Sequence, residues 1–360
     1  MSNTFGEKIK VTIFGQSHSE AIGVVIEGLP PGFHPDMEEA AAFMARRAPG
    51  RSEYSTPRME EDVPKFISGL VDGATCGAPV CAIIQNTDAR SGDYSRLKTV
   101  PRPSHADYTA MVKYGGYNDI RGGGQFSGRL TAPLCFAGAL CLQLLAECGV
   151  TVGAQILEIA GVPDRPLDTV NVSPEELEAI RSKAFPVNDD AAGERMREEI
   201  LRAKQDMDSV GGIIRCYALG LLPGLGEPMF HGLENRLAAA VFGIPAVRGV
   251  SFGAGFAAAR MRGSVHNDPF EVIDGEVRTR TNNHGGILGG ISSGMPLVMD
   301  VAIKPTASIG ILQDTVDLTA MENTTLTIGG RHDPCIVPRA VPCVEAAVAI
   351  TLLDMLIERM

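Results

Sequence analysis

Four short segments carry residue types that could do chemistry. Gly15-Gln16-Ser17-His18 follows an apolar run. A histidine held directly after a buried strand can titrate near neutrality and move a proton. Pro101-Arg102-Pro103-Ser104-His105-Ala106-Asp107 fixes an arginine between prolines, with Ser104 placed to cap a following helix. Arg121-Gly122-Gly123-Gly124-Gln125-Phe126-Ser127-Gly128-Arg129-Leu130-Thr131 sets three glycines before a long apolar stretch. Backbone N–H groups in such a turn can converge on an anion at a helix N-terminus, and arginine matches phosphate and carboxylate by bidentate geometry. Gly330-Arg331-His332-Asp333-Pro334-Cys335, then Pro338-Arg339, could bind an anion and hold a carboxylate base. Each segment also has a structural reading: a hydrogen-bonded histidine, a helix cap, a glycine turn, a self-neutralising ion pair.

Strand-like runs fall at Lys10–Phe14, Gly23–Gly28, Lys65–Gly69, Val80–Gln85, Val150–Ala160, Gly211–Gly220, Val247–Phe252 and Leu297–Ile303. The first two are expected to pair. Helices are expected from Asp36, with Glu39 completing a capping box, from Leu130 to Glu147, after Ser173-Pro174-Glu175-Glu176, from Asp190 to Met207, from Leu233 to Phe242, and from Cys343 to Glu358. Arg331–Pro338 reads as a rigid polar loop. The order has no regular βαβ rhythm, so an α+β fold rich in antiparallel sheet is favoured over a doubly wound one. No proline- or serine-rich linker divides the chain, so residues 1–360 read as one domain.

The chain has 360 residues and a formal charge of −11, with 44% apolar and 21% charged residues. That much apolar material argues against global disorder. The acidic balance argues against a general nucleic-acid binder. Arg46, Arg47, Arg51, Arg58, Arg102, Arg121, Arg129 and Arg331 nonetheless cluster near the four segments, which would make a local positive well for a polyanionic small molecule. The glycine turn matches neither a dinucleotide fingerprint nor a P-loop. Histidine and carboxylate spacings give no metal signature, so no metal is expected. The eight cysteines form no C-x-x-C pair and read as reduced thiols. Met1–Lys10 is polar, and the longest apolar stretch, Ala132–Leu145, falls short of the roughly 20 residues a membrane span needs. A cytoplasmic protein with no membrane partner is expected.

In this order the four segments resemble the chorismate synthase family, together with Gly285-Gly286-Ile287-Leu288-Gly289-Gly290-Ile291 and Lys304-Pro305-Thr306. The likeness covers essentially the whole chain. It implies a sandwich of internal antiparallel sheets covered by outer helices, a homotetramer, and conversion of 5-enolpyruvylshikimate 3-phosphate to chorismate and phosphate. That reaction is a 1,4-elimination requiring reduced FMN as a transient electron donor, without net redox change. By motif match, His18 would assist the departing phosphate, His105 would support the reduced flavin, and Asp333 would take part in removing the C6 proton. Ser17 and Ser127 would orient their neighbours. Arg47, Arg58, Arg102, Arg129 and Arg331 would hold substrate anions. Flavin contacts would fall at Gln125, Phe126, Ser127, Pro245, Ala246, Gly289, Lys304, Pro305, Thr306, Ala307, Ser308 and Arg331. Ala48, Glu53, Gln125, Phe126 and Gly128 depart from the family's usual residues. NADPH would enter only if the enzyme reduced its own flavin, and without a dinucleotide fingerprint the monofunctional type is favoured. The alternatives are a flavin-free lyase or phosphatase acting on a phosphorylated acid, and a non-catalytic anion-binding protein.

Overall fold

The structure is a computed structural model, and it describes residues 3–50, 60, 62–87, 92–329 and 333–359. In chain order the principal elements begin with β1 (Thr4–Phe5), β2 (Lys10–Gly15), β3 (Ala21–Glu27), α1 (Met37–Arg47), β4 (Lys65–Ser68) and β5 (Val80–Gln85). Then come α2 (Asp107–Tyr114), α3 (Thr131–Glu147), β6 (Thr151–Ile159), β7 (Val162–Pro163), α4 (Pro174–Arg181) and α5 (Asp190–Gln205). The chain closes with β8 (Gly212–Leu219), α6 (Leu233–Phe242), β9 (Val247–Phe252), β10 (Leu297–Ile303) and α7 (Val337–Arg359).

Two antiparallel sheets result, in the orders β1-β2-β3-β5-β4 and β9-β10-β8-β6-β7. β2 and β3 pair as expected, from Lys10↔Glu27 to Gly15↔Ile22. Side chains alternate across a strand, so Ile22, Val24 and Ile26 of β3 all enter the main core. The second sheet is buried on both faces. Ile214, Cys216 and Ala218 of β8 join the main core, whereas Tyr217 and Leu219 pack with Leu177 and Ile180 of α4. Asp300, the one charge in an apolar strand, faces Arg215 across the ladder and binds it at 2.6 and 2.7 Å.

The α+β class and its antiparallel sheets are as expected, and the layering adds a feature. α3 packs on β3 and β5 of the first sheet and on β6 of the second, and α7 packs on α3, β6 and β8, so these helices form a layer between the sheets with α1 and α6 packed beside them; α4 and α5 also contact the second sheet, at β6. Two of the inner helices are apolar on every side. Thirteen of 17 residues of α3 and 17 of 23 of α7 are buried, which fits helices enclosed all round. Counted from Gly128, the stretch ending in α3 is longer than the apolar run Ala132–Leu145 suggested; it and α7 are each long and apolar enough to cross a membrane, yet here they are mostly buried in the core.

Three expectations need correction. α7 begins at Val337, inside the stretch read as a loop, and runs through Pro342. Proline removes one helical N–H and usually breaks the helix; here enclosure between two sheets outweighs that loss. Ser104 does not cap α2. The cap position is Ala106, without a side-chain bond, and Ser104 itself takes a positive φ of 58°. Finally, the hairpins Phe270–Ile273/Glu276–Thr279 and Gln313–Asp317/Glu322–Leu326 were not foreseen.

Candidate active site

The glycine turn is where the separate motifs meet. Gly122, Gly123 and Gly124 all have positive φ, at 59°, 86° and 55°, a region open to glycine at little cost. The absent side chains also matter. A Cβ on Gly122 would lie 2.4 Å from His18 Cε1 and 2.6 Å from Ser17 Oγ. One on Gly123 would lie 3.2 Å from His105 Nε2. The Ser17 N–H donates to the Gly124 carbonyl at 3.1 Å, fixing the loop after β2 on the turn. The two histidines therefore approach consecutive glycines of one turn.

A cavity of about 570 Å³ opens beside this turn. Gln125, Phe126, Ser127, Gly128 and Arg129 supply one wall, Pro245 and Ala246 another, and Lys304, Pro305, Thr306, Ala307 and Ser308 a third. Arg47, Arg102, His105 and Asp333 also line it. Thus most of the expected site residues, drawn from distant parts of the chain, share one space. His18 and Ser17 stand just behind the wall. They touch Gly122, and the His18 ring meets Tyr94 edge-on at 5.2 Å; both Gly122 and Tyr94 line the cavity. Gly289 is not brought there. The Gly290 carbonyl beside it accepts from Leu233 N, at the start of α6, whereas the cavity meets Phe242 at that helix's other end. Arg58, Glu53 and Arg331 lie outside the described residues. Arg121 is exposed and paired with Asp119.

The arginines are held by carboxylates. Asp62 takes both Arg47, at 2.6 Å, and Arg129. Burial works against the Asp62 charge, but the two guanidinium groups outweigh it and hold the carboxyl below its usual range. Burial and repulsion from Arg47 lower the Arg129 pKa, offset only in part by Asp62. Arg47 also donates to Thr131 Oγ1 and the Gly128 carbonyl; Arg129 also donates to Asn86 Oδ1 and the Gln85 carbonyl. Arg339 pairs with Asp333 and donates to the Arg47 carbonyl.

A second cluster surrounds Asp107. Its carboxylate accepts from Arg102 Nε at 2.7 Å and Nη2 at 2.8 Å, and lies 2.6 Å from His105 Nδ1. Burial alone would raise this carboxyl; hydrogen bonds from Arg102 and His105, and their charges, hold it well below the carboxylate range. An ionised carboxylate only accepts, so Nδ1 is the protonated nitrogen and Nε2 faces the glycine turn. Arg102 Nη1 reaches Ser308 Oγ at 3.1 Å, tying this cluster to the third wall.

Lys304 joins two strained residues. Its backbone N–H donates to the Ala246 carbonyl at 3.0 Å and its ammonium to the Ser104 carbonyl at 3.1 Å. Ala246 and Ser104 both hold positive φ, 75° and 58°, which costs non-glycine residues about 1–3 kcal/mol each. Burial, with help from Arg248, lowers the Lys304 pKa. Two hydroxyls, Ser17 Oγ and Thr306 Oγ1, are buried without a hydrogen-bond partner among the described residues. Such orphans are uncommon and mark places where a ligand's polar atoms would be welcome.

Sequence reasoning gave no role to Asp62, Asp107, Arg339 or Cys343. Asp107 and Arg339 stood inside motifs already singled out, two residues after His105 and six after Asp333, so proximity could have flagged them. Asp62 had no local signal, because its partners lie 15 and 67 residues away. Ala48 is buried at the end of α1, and nothing crowds the position where a Gly128 side chain would begin.

A family model described as chorismate synthase matches residues 9–357. The chorismate synthase of Thermococcus gammatolerans is 49% identical over 354 residues, covering 98% of this chain and 97% of the relative. That of Korarchaeum cryptofilum is 44% identical over 360 residues, covering 99% and 98%. A crystal structure of chorismate synthase superposes with a TM-score of 0.77 at 27% identity, covering 98% of this chain and 93% of the other. A lyase therefore stands in place of the phosphatase and scaffold alternatives, and the chain belongs to the chorismate synthase family.

Proposed function

We propose that the cavity binds 5-enolpyruvylshikimate 3-phosphate beside reduced FMN and expels phosphate by 1,4-elimination, leaving chorismate. The observation that carries this reading is the charge of the lining. Among the described residues, Arg47, Arg102, Arg129, Lys304 and Arg339 line the space with Glu60 and Asp333 against them. A substrate with one phosphate and two carboxylates suits that excess. Every guanidinium nitrogen of Arg47, Arg102 and Arg129 already donates within the protein. These arginines therefore act on the anion through their field and through the second N–H of their terminal nitrogens. Arg58 and Arg331 are assigned to the same anions from the family likeness.

The residues present suit an anionic cofactor. Thr306, with its orphan hydroxyl, and Lys304, with its ammonium, line the same cavity as Gln125, Phe126 and Ser127. With Pro245, Ala246, Ala307 and Ser308 they would hold FMN; Gly289 has no part in this cavity. Reduced FMN, when bound, supplies electron density that helps phosphate leave and recovers it as the C6–H bond breaks. The protein's share is orientation and proton handling. His18, with the Ser17 hydroxyl beside it, delivers a proton to the departing phosphate. His105 presents Nε2 to the turn while Asp107 fixes its other nitrogen. Ser127 caps the short turn that carries Arg129, its hydroxyl accepting the Arg129 backbone N–H. Asp333, oriented by Arg339, receives the C6 proton.

Electrons are assigned to an external reductant, and the setting to the cytoplasm. We assign the working form to a homotetramer. Exposed Phe230, Phe256, Phe270, Val272 and Val277 support it, being apolar surface that further copies would cover.

The test is anaerobic turnover of 5-enolpyruvylshikimate 3-phosphate with chemically reduced FMN, following product absorbance and phosphate release. Product with reduced but not oxidised FMN is expected, and NADPH with oxidised FMN should yield none. Folded, FMN-binding protein that makes no product would overturn the mechanism.

A further inference from the structure

Two cysteines meet at the edge of the cavity. Cys135 on α3 and Cys343 on α7 point their sulfurs at each other across 3.7 Å. Gly138 and Ala346, one turn further along each helix, allow this approach. A Cβ on Gly138 would lie 2.2 Å from the Ala346 Cβ. Thiols bridge only where their backbones come close, and this small pair supplies that closeness. Cys343 borders the cavity although it is itself buried, and Cys135 is wholly buried behind it.

The surroundings separate this pair from the other buried cysteines. Burial pushes the thiols of Cys141, Cys216 and Cys335 up. Cys343 accepts a hydrogen bond from Cys135, contacts the Thr131 hydroxyl and sits in the field of Arg47 and Arg339. Together these outweigh its burial and bring it down to about 7. Its own proton rests on the Arg339 carbonyl oxygen, 3.3 Å away, and is given up on ionisation. Burial and the bond to Cys343 push Cys135 up. Cys343 is thus the sulfur that ionises more readily, and Cys135 is its protonated neighbour. A low-pKa cysteine on the border of a cavity and beside a second thiol is an arrangement that a small peroxide can oxidise reversibly.

We propose that Cys135 and Cys343 form a peroxide-reactive dithiol that closes to a reversible disulfide. The Cys343 thiolate attacks one oxygen of hydrogen peroxide. The O–O bond breaks, the departing hydroxide takes a proton from solvent, and Cys343 becomes a sulfenic acid. The Cys135 sulfur then attacks the Cys343 sulfur and loses its proton, and the sulfenic hydroxyl leaves as a second water. Two thiols and one peroxide give one disulfide and two waters, so the sulfurs lose the two electrons that peroxide gains.

The experiment treats the reduced full-length protein with a small excess of hydrogen peroxide. Remaining thiols are then alkylated in denaturant, and a non-reducing digest is mapped by mass spectrometry. The expected product is a Cys135–Cys343 cross-linked peptide, two hydrogens lighter than its parts and reopened by dithiothreitol. In Cys135→Ala, dimedone should label Cys343; in Cys343→Ala, Cys135 should stay fully alkylatable. The wild-type map needs no variant to fold. Full alkylation of Cys135 and Cys343 after peroxide, with only exposed Cys76 and Cys148 consumed, would overturn the proposal. So would a wild-type protein that stops at a Cys343 sulfenic acid.

Discussion

The two nitrogens of the His105 ring face different partners, Asp107 at 2.6 Å on one side and the glycine turn on the other. Asp107→Asn would keep the shape and lose the charge. The amide could then donate to Nδ1 as well as accept from it, and the wrong tautomer would become accessible. We expect kcat to fall by about 10²-fold with FMN affinity nearly unchanged, measured by turnover and by flavin titration. The same substitution has a stability signature. The folded Asp107 carboxyl lies well below its ordinary 3.8, so its contribution is complete above that pH and is lost as pH falls through the folded value. Urea midpoints should therefore show a gap of about 3 kcal/mol at neutral pH, narrowing below pH 3.8. Gly122 and Gly128 give a paired test nearby. Gly122→Ala forces a Cβ to 2.4 Å from His18 and holds alanine at φ 59°. Activity should drop by about 10²-fold and stability by about 1–3 kcal/mol. Gly128→Ala enters open space and should stay within about 0.5 kcal/mol.

Elements differ in how plainly the chain announces them. Strands such as β3 and β10 were legible as short apolar runs bounded by turn residues. Helix ends were less so. α7 was cut short because Pro338 and Pro342 act as breakers in local terms, and only the enclosing sheets override them. The inner position of α3 and α7 was partly readable, since a helix without a polar face must be covered all round. Which sheets cover them depends on pairings far apart in sequence. The site divides in the same way. Its histidines and glycines lie in compact motifs, whereas the Asp62 carboxylate that holds two arginines is defined only by the fold. Gly138 tests the inner layer directly. Its Cβ would stand 2.2 Å from Ala346, and both neighbours are buried helix where neither backbone can yield cheaply. Gly138→Ala should cost about 1–3 kcal/mol despite alanine's better helix propensity, read as a lower urea midpoint. An equal or higher midpoint would mean that α3 and α7 are not in contact there.

Over the whole molecule, a chain of net charge −11 must admit the proposed substrate, which carries three anionic groups. Among the described residues five basic side chains line the cavity against two acidic ones, and Asp62 and Asp107 hold three of those bases in place while cancelling part of their charge. The remaining attraction is local, and the acidic outer surface opposes approach. These two fields respond differently to salt. Exposed charges are screened beyond about 10 Å at 0.1 M ionic strength, and partly buried ones much less. If capture depends on focusing into the cavity, raising sodium chloride from about 20 to about 300 mM should raise KM several-fold, because the low-dielectric walls no longer gather the substrate. kcat should change by less than about twofold, since the bound anion touches its partners inside the Debye length. Sucrose at matched osmolality separates screening from hydration, and light scattering at each salt concentration separates it from a change in assembly. A KM that falls as salt rises, with assembly unchanged, would mean that the acidic surface governs approach and that the cavity's basic excess acts only after the substrate has arrived.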